Sequence, residues 1–512
     1  MIEANPILFF TSEIFPFSKS GGLGDVMGIL PRTLSDLGLP VSVITPFYGR
    51  LNTGEYQIRL VYENCPVGYP WPDITADIYL ADYHGLPVYF IDRPEYFDRK
   101  QFYCTYHGDY FDNCERFIFF SRAGLAWARR MDTPPRIVHV HDWHSSLVPA
   151  FLHFLRASDP YWQATSTILT IHNLAFQGQY SARLFWESGL PPEAWHMDGA
   201  EYHGSFNMLK TGIGYADRIT TVSPSYAEEI VTPKFGSGLE GLLSKRADRL
   251  RGILNGVDYN IWNPETDRYL PYHYSAEDLS GKDKCKEFLI NSMGLSPRLL
   301  DRPILGFIGR LRDQKGIDLL MDIVPQLMEA DLGLVILGEG ALETETLIGN
   351  LVEQYPRRLA ACIGYTEEMS HQIMAGTDVF LMPSRYEPCG LTQLYSLRYG
   401  TLPVTSAVGG LKDTVISHPS PNCTGFTFGT ISSWALLRAV QKALRIWESR
   451  PELWKQMQRR AMNHDFSWHR SAMRYAELYA ELGLPWKPGQ LEQLETDPDQ
   501  TGSEALKAAG RG

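Results

Sequence analysis

The chain has 512 residues, 44% of them hydrophobic and 21% charged, and a formal net charge of −12. That length exceeds what one hydrophobic core organises, so two domains of about 200 to 250 residues are expected. The acidic balance argues against a general nucleic-acid or membrane-surface binder, because both partners are polyanionic and repel such a surface.

No stretch approaches ~18 consecutive apolar residues, so no membrane span is expected. Met1 leads into the apolar run Ile7 to Phe10 without a basic segment or a small-residue cleavage site, which predicts no signal or transit peptide. The seven cysteines are scattered, odd in number and without a C-x-x-C pair, the pattern of reduced thiols in a cytosol. A cytoplasmic enzyme is the simplest class.

Along the chain, short apolar runs alternate with helical patterns. Ile7 to Phe10, Val41 to Thr45, Val88 to Ile91, Ile137 to Val140, Ser166 to Thr170 and Arg218 to Val222 read as buried strands. Such alternation predicts an α/β fold whose parallel sheet is covered by helices on both faces. After the turn-forming Asn255-Gly256-Val257-Asp258, a second series appears at Ile304 to Ile308, Gly333 to Leu337, Ala361 to Ile363, Val379 to Met382 and Leu402 to Thr405. The expected first domain is therefore 1–258, completed by a helix at about 468–484, and the second is 259–467. A further helical pattern runs from Trp434 to Asn463, and the polar tail 486–512 is expected to be disordered.

The chemistry gathers at strand ends. Lys19-Ser20-Gly21-Gly22-Leu23-Gly24-Asp25 follows the first strand and opens a helical pattern, so backbone N–H groups and a mobile ammonium can meet a phosphate; a bare βα turn with a surface lysine fits the glycines equally well. Tyr103 to Tyr110, with Asp112, Asn113 and Arg116, mixes aromatic and polar groups that suit carbohydrate, although aromatic stripes are more often core. His139-Val140-His141-Asp142-Trp143-His144 and Thr170-Ile171-His172-Asn173 end two strands. The first invites a metal reading, but no distant Cys or carboxylate pattern completes a site, so sugar recognition or structural hydrogen bonding is expected instead.

Gly309-Arg310-Leu311-Arg312-Asp313-Gln314-Lys315-Gly316 places two cations after a strand, where a forked guanidinium and a point-like ammonium can clamp a diphosphate. Pro383-Ser384-Arg385-Tyr386-Glu387-Pro388-Cys389-Gly390-Leu391-Thr392 puts a glutamate between a strand and a helix. That carboxylate can hold sugar hydroxyls, or it can merely complement a helix dipole.

Taken together these segments, with Ser12-Glu13, Gln177-Gly178 and Trp262-Asn263-Pro264, resemble the bacterial glycogen synthases and plant starch synthases, retaining glucosyltransferases that use ADP-glucose. The ordered motifs span nearly the whole chain. The resemblance implies two Rossmann-like doubly wound domains facing a cleft, the glycosyltransferase-B architecture. It implies that Lys19, Arg310 and Lys315 neutralise the departing diphosphate without a metal or other cofactor, that His172 lies beside the transferred glucose, and that Glu387 binds its hydroxyls. By the same resemblance Ser20, Gly21, Gly22, Asn255, Gln314, Cys389, Gly390, Leu391 and Thr392 contact the nucleotide sugar, and Asp25, Asp142, Trp143 and Asn173 contact sugar or acceptor. The expected partners are ADP-glucose and an α-1,4-glucan primer. The first loop reads Lys-Ser-Gly-Gly where many relatives have Lys-Thr-Gly-Gly, a change that keeps the hydroxyl.

Other classes fit less well. A dinucleotide-dependent oxidoreductase wants G-x-G-x-x-G after its first strand, a spacing that Gly21-Gly22-Leu23-Gly24 lacks. A non-catalytic carbohydrate-binding protein has no need for the cations and Glu387. The nearest alternative is a related ADP- or UDP-glucose glucosyltransferase with a small acceptor such as glucose 1-phosphate.

Overall fold

The computed structural model describes residues 7–49, 51, 54–105 and 108–486; from 487 on, the tail expected to be disordered lies outside them. The described residues of Met1–Leu169, Gln177–Asp217 and Ala472–Gly512 form one compact unit, and Thr170–Phe176 with Arg218–Ser471 form the other.

The strands that organise the first unit are β1 (Ile7–Phe10), β2 (Val41–Pro46), β3 (Arg59–Gly68), β4 (Trp71–Tyr83), β5 (Leu86–Asp92), β6 (Ile137–His141) and β7 (Ser166–Ile171), ordered β7-β6-β1-β2-β5-β4-β3. β1 pairs in parallel with β2 and β6, aligning Ile7 with Val41 and Ile137. All four β1 side chains are buried, as a strand covered on both faces requires.

The expected parallel sheet ends differently: β4 runs antiparallel to β5, and β3 antiparallel to β4. This hairpin left no apolar run in the sequence because β3 is an edge strand with most side chains exposed, Pro66 among them, and its register shifts at several points. The helix Trp468–Glu481 packs on the first unit, with Tyr479 Oη 2.8 Å from His139 Nδ1.

The second unit contains the parallel pair β8 (Arg218–Thr221) and β9 (Leu250–Gly252). It also holds a parallel six-stranded sheet of β10 (Ile304–Ile308), β11 (Gly333–Gly338), β12 (Leu359–Ile363), β13 (Val379–Met382), β14 (Leu402–Ser406) and β15 (Phe426–Phe428), in the order β12-β11-β10-β13-β14-β15. Counted from β10 this is 3-2-1-4-5-6, the doubly wound order whose switch point lies between its first and fourth strands. The carboxyl ends of β10 and β13 are therefore where a ligand crevice is expected. The helical stretch expected from Trp434 to Asn463 is two helices, Ser433–Ser449 and Pro451–Met462. Pro451 explains the break: it disfavours a helical residue before it and suits the first position of a new helix.

Candidate active site

In the second unit the loops that follow β10 and β13 meet. After β10, Gly309 leads through Arg310 into a short 3-10 turn, Asp313–Lys315, and then into the helix Ile317–Leu327. The joint is Gly316, at φ +68, where a Cβ would stand 2.1 Å from the carbonyl oxygen of Pro383. Only glycine satisfies both the left-handed backbone and that approach.

Lys315 Nζ lies 2.6 Å from Glu387 Oε2, and Ser384 Oγ donates to the same oxygen at 2.9 Å. Glu387 is buried while the lysine side chain stays partly accessible. The Arg310 side chain is exposed and that of Gln314 half-buried on the same loop. Beneath Glu387, the Gly410 N–H donates to the Glu387 carbonyl, and Cβ atoms at Gly409 or Gly410 would collide with the carbonyls of Glu387 or Cys389.

Burial pushes the Cys389 thiol up to about 12, and a backbone hydrogen bond with Asn255 offsets only part of this. A thiol held neutral in this way is a poor nucleophile. Gly390 sits at φ +72 above Gln393, whose amide donates to the carbonyls of Cys389 and Gly390. Leu391 precedes the helix Thr392–Arg398, and Thr392 Oγ1 reaches Met382 Sδ.

His172 and Asn173 follow β7. Burial lowers the His172 imidazole to about 3, which leaves the ring neutral at physiological pH, although part of it remains accessible. Asn173 Oδ1 accepts from the Ala175 N–H in a local turn.

The first unit repeats the strand–lysine–helix plan after β1. Lys19 Nζ pairs with Asp25 Oδ1 at 2.6 Å, and Ser20, Gly21 and Gly22 lead into the helix Gly22–Asp36. The loop is fastened from below by Glu13, whose carboxylate accepts from Ser20 N at 2.5 Å, from Ser20 Oγ at 2.6 Å and from Tyr103 Oη at 2.7 Å. Sequence reading passed over this role of Glu13, since its only signal is a carboxylate standing just before a glycine turn.

Next to it in the sheet, β6 leads directly into Asp142, a buried non-glycine residue at φ +53 that opens a short helix. Strand alternation therefore stops at His141 and does not set the direction of Asp142. Trp143 packs edge-on to Phe117 and against the backbone of Gly178, where a Cβ would lie 2.5 Å from the indole. His141 stacks on Phe9, and His139 packs at a tilt against both rings, all fully buried. Among the described residues no three His, Cys, Asp or Glu side chains are grouped so as to hold a metal ion. Nor, among the described residues, is any helix long and apolar enough to cross a membrane.

Residues 6–245 match the family model described as starch synthase catalytic domain, and residues 296–461 match that of glycosyl transferases group 1. The chain is 45% identical over 485 residues to a glycogen synthase from Anaeromyxobacter sp. (strain Fw109-5), covering 94% of this chain and 100% of the relative. A glycogen synthase from Syntrophotalea carbinolica is 43% identical over 475 residues, covering 92% and 98%. Among solved structures, the catalytic domain of starch synthase IV from Arabidopsis thaliana, bound to ADP and acarbose, matches with a TM-score of 0.86 at 31% identity, covering 94% of this chain and 99% of that one.

Proposed function

The chain belongs to the glycogen and starch synthase family of glycosyltransferases, and we propose that it transfers glucose from ADP-glucose to the non-reducing 4-hydroxyl of an α-1,4-glucan with retention of configuration. The observation that carries this reading is the contact of Lys315 with the buried Glu387 at the switch point of a doubly wound sheet. A cation able to neutralise a diphosphate and a carboxylate able to hold sugar hydroxyls stand side by side there. The ADP and acarbose carried by the similar starch synthase support an ADP-linked donor and a glucan acceptor.

In this reading Arg310 and Lys315 take up the negative charge that collects on the diphosphate as the bond from glucose C1 to the phosphate oxygen breaks. An ammonium carries three donors, so Lys315 keeps protons for phosphate oxygens while one faces Glu387. Glu387 holds glucose hydroxyls and opposes the positive charge that develops at C1. The acceptor 4-oxygen bonds to C1 on the face from which ADP leaves, and its proton passes to the departing phosphate oxygen, which balances the step.

His172, being neutral, serves as a hydrogen-bonding group beside the sugar rather than as a charge. Cys389 is assigned to packing near the donor, in keeping with its raised thiol. Asn255, Gln314, Gly390, Leu391 and Thr392 are assigned to the nucleotide sugar. Lys19 with Ser20, Gly21 and Gly22 is assigned to phosphate, and Asp25, Asp142, Trp143 and Asn173 to sugar or acceptor. No metal or other cofactor is assigned a part in the transfer. The free cysteines support a reducing compartment, the cytoplasm.

The donor is tested by incubating the purified protein with glycogen and radiolabelled ADP-glucose or UDP-glucose and counting label in the polymer. Incorporation from ADP-glucose well above that from UDP-glucose is expected, and the reverse preference would replace the donor.

A further inference from the structure

The loop that carries Lys315 is fastened on both sides of that residue by a neighbouring loop, and chiefly by one arginine that the reaction itself does not use. Arg385 lies in the loop after β13, two positions before Glu387. Its backbone N–H donates to the Gln314 carbonyl at 2.8 Å. Its guanidinium donates to the Asp313 carbonyl at 2.6 Å and forms a fork on Asp318, with Nη1 to Oδ1 at 2.7 Å and Nη2 to Oδ2 at 2.6 Å. Asp318 stands in the first turn of the helix Ile317–Leu327. Gly316, between them, abuts the Pro383 carbonyl. Thus 313, 314, 316 and 318 are all fixed to 383–385, and Lys315 alone reaches past them to Glu387.

We infer that Arg385 is a positioning residue: through Asp313, Gln314 and Asp318 it fixes the loop of Lys315 against the loop of Glu387, so that the ammonium is placed for the donor's diphosphate. This deepens the functional reading above and rests on it. The chemistry explains why arginine stands here. A planar guanidinium serves a carboxylate and a carbonyl at fixed angles, whereas an ammonium is a point charge that can serve either without fixing both. The Arg385 and Asp318 side chains are each more than a third accessible, so the pair adds little to global stability. Its consequence falls on the placement of Lys315.

A double-mutant cycle tests this, with ADP affinity by calorimetry and glucosyl transfer as readouts. Lys315→Ala is expected to weaken ADP about tenfold or more, the scale of losing one charge-assisted hydrogen bond. Arg385→Ala is expected to weaken ADP several-fold and slow transfer in the wild-type background, yet change ADP affinity by less than about twofold in the Lys315→Ala background, since residues that act through one backbone segment couple. The thermal midpoint should stay within a few degrees, and Arg385→Lys should not restore affinity. Equal losses in both backgrounds, no loss in either, or full rescue by lysine would overturn the inference.

Asp318→Asn, close in volume, is carried through the same two backgrounds in case Arg385→Ala does not fold. A wild-type protein that neither binds ADP nor transfers glucose rejects the functional reading and the inference with it. A functional wild type with an additive cycle rejects the inference alone.

Discussion

Lys19 and Lys315 occupy matching places in the two units, each between a strand and the helix that follows, and each pairs with a carboxylate oxygen at 2.6 Å. Their partners differ. Asp25 belongs to the first turn of the helix that Lys19 itself precedes, and both side chains are about a third accessible. Glu387 comes from another strand's loop, 72 residues on in sequence, and is only 7% accessible.

The first pair is local and screened by solvent, worth roughly 0–1 kcal/mol, so an incoming anion can take Lys19 from Asp25 with little penalty. Separating the second pair strands a buried carboxylate, which is costly unless other donors replace the ammonium. Under the proposed function a sugar next to a phosphate supplies them, with hydroxyls donating to Glu387 while the phosphate draws on Lys315. The same distance thus marks a lysine that is easily released in one unit and a coupled, largely buried pair in the other.

The largest effect should come from breaking the coupled pair. Glu387→Ala is expected to lower glucosyl transfer at saturating donor by about 100-fold or more, the scale of losing one preorganised electrostatic group, with the far-ultraviolet circular dichroism unchanged. Turnover near the wild-type rate would remove Glu387 from the site. The scaffold under the pair comes next. Gly316→Ala forces a Cβ onto the Pro383 carbonyl at a left-handed φ, and a loss of about 1–3 kcal/mol in chemical denaturation is expected. No loss would mean that the two loops approach less closely.

A titration separates the units further. Burial, and secondarily the charge of Arg116, holds His144 of the first unit well below its ordinary value. A depressed imidazole contributes stability that is complete above its ordinary value of 6.5 and is lost as the pH falls below it, because only the unfolded chain takes up the proton. In the second unit burial also disfavours a charged His371, but the hydrogen bond with Asp267 and the nearby Glu367 carboxylate raise it overall. Its contribution is complete below 6.5 and is lost as the pH rises through the raised value. His144→Gln should therefore flatten the fall of the unfolding free energy between pH 6.5 and 5, and His371→Gln its fall above pH 6.5, each by at most ~1.4 kcal/mol per pH unit. Identical profiles for the two variants would contradict these assignments. The smallest effect belongs to the local pair: Asp25→Ala should change unfolding free energy by less than about 1 kcal/mol, and a larger loss would show that the first lysine is held as firmly as the second.

Much of this was legible in the sequence, and the gaps have definite causes. Buried parallel strands such as Ile304–Ile308 and Val379–Met382 announce themselves because every residue is apolar. The strand Arg59–Gly68 does not, since an exposed edge needs no apolar run. Lys315 and Glu387 were each recognisable as chemistry at a strand end, but their contact depends on strand order in the sheet, which one-dimensional spacing does not encode. Glu13 and Arg385 lie inside motifs plain in the sequence, and their roles emerge only from the partners that folding supplies, Ser20 and Tyr103 for one and Asp318 for the other. The left-handed backbone of Asp142 carried no sequence signal, since aspartate adopts it only when its surroundings impose it.

The central claim is extension of a glucan, and a competition between acceptors tests it most directly. The wild-type protein is given radiolabelled ADP-glucose with glycogen and glucose 1-phosphate present together, and the products are separated by size. Label in the polymer, released by an α-1,4-specific glucanase, is the predicted result; label in a small phosphorylated disaccharide, with none in the polymer, would contradict it.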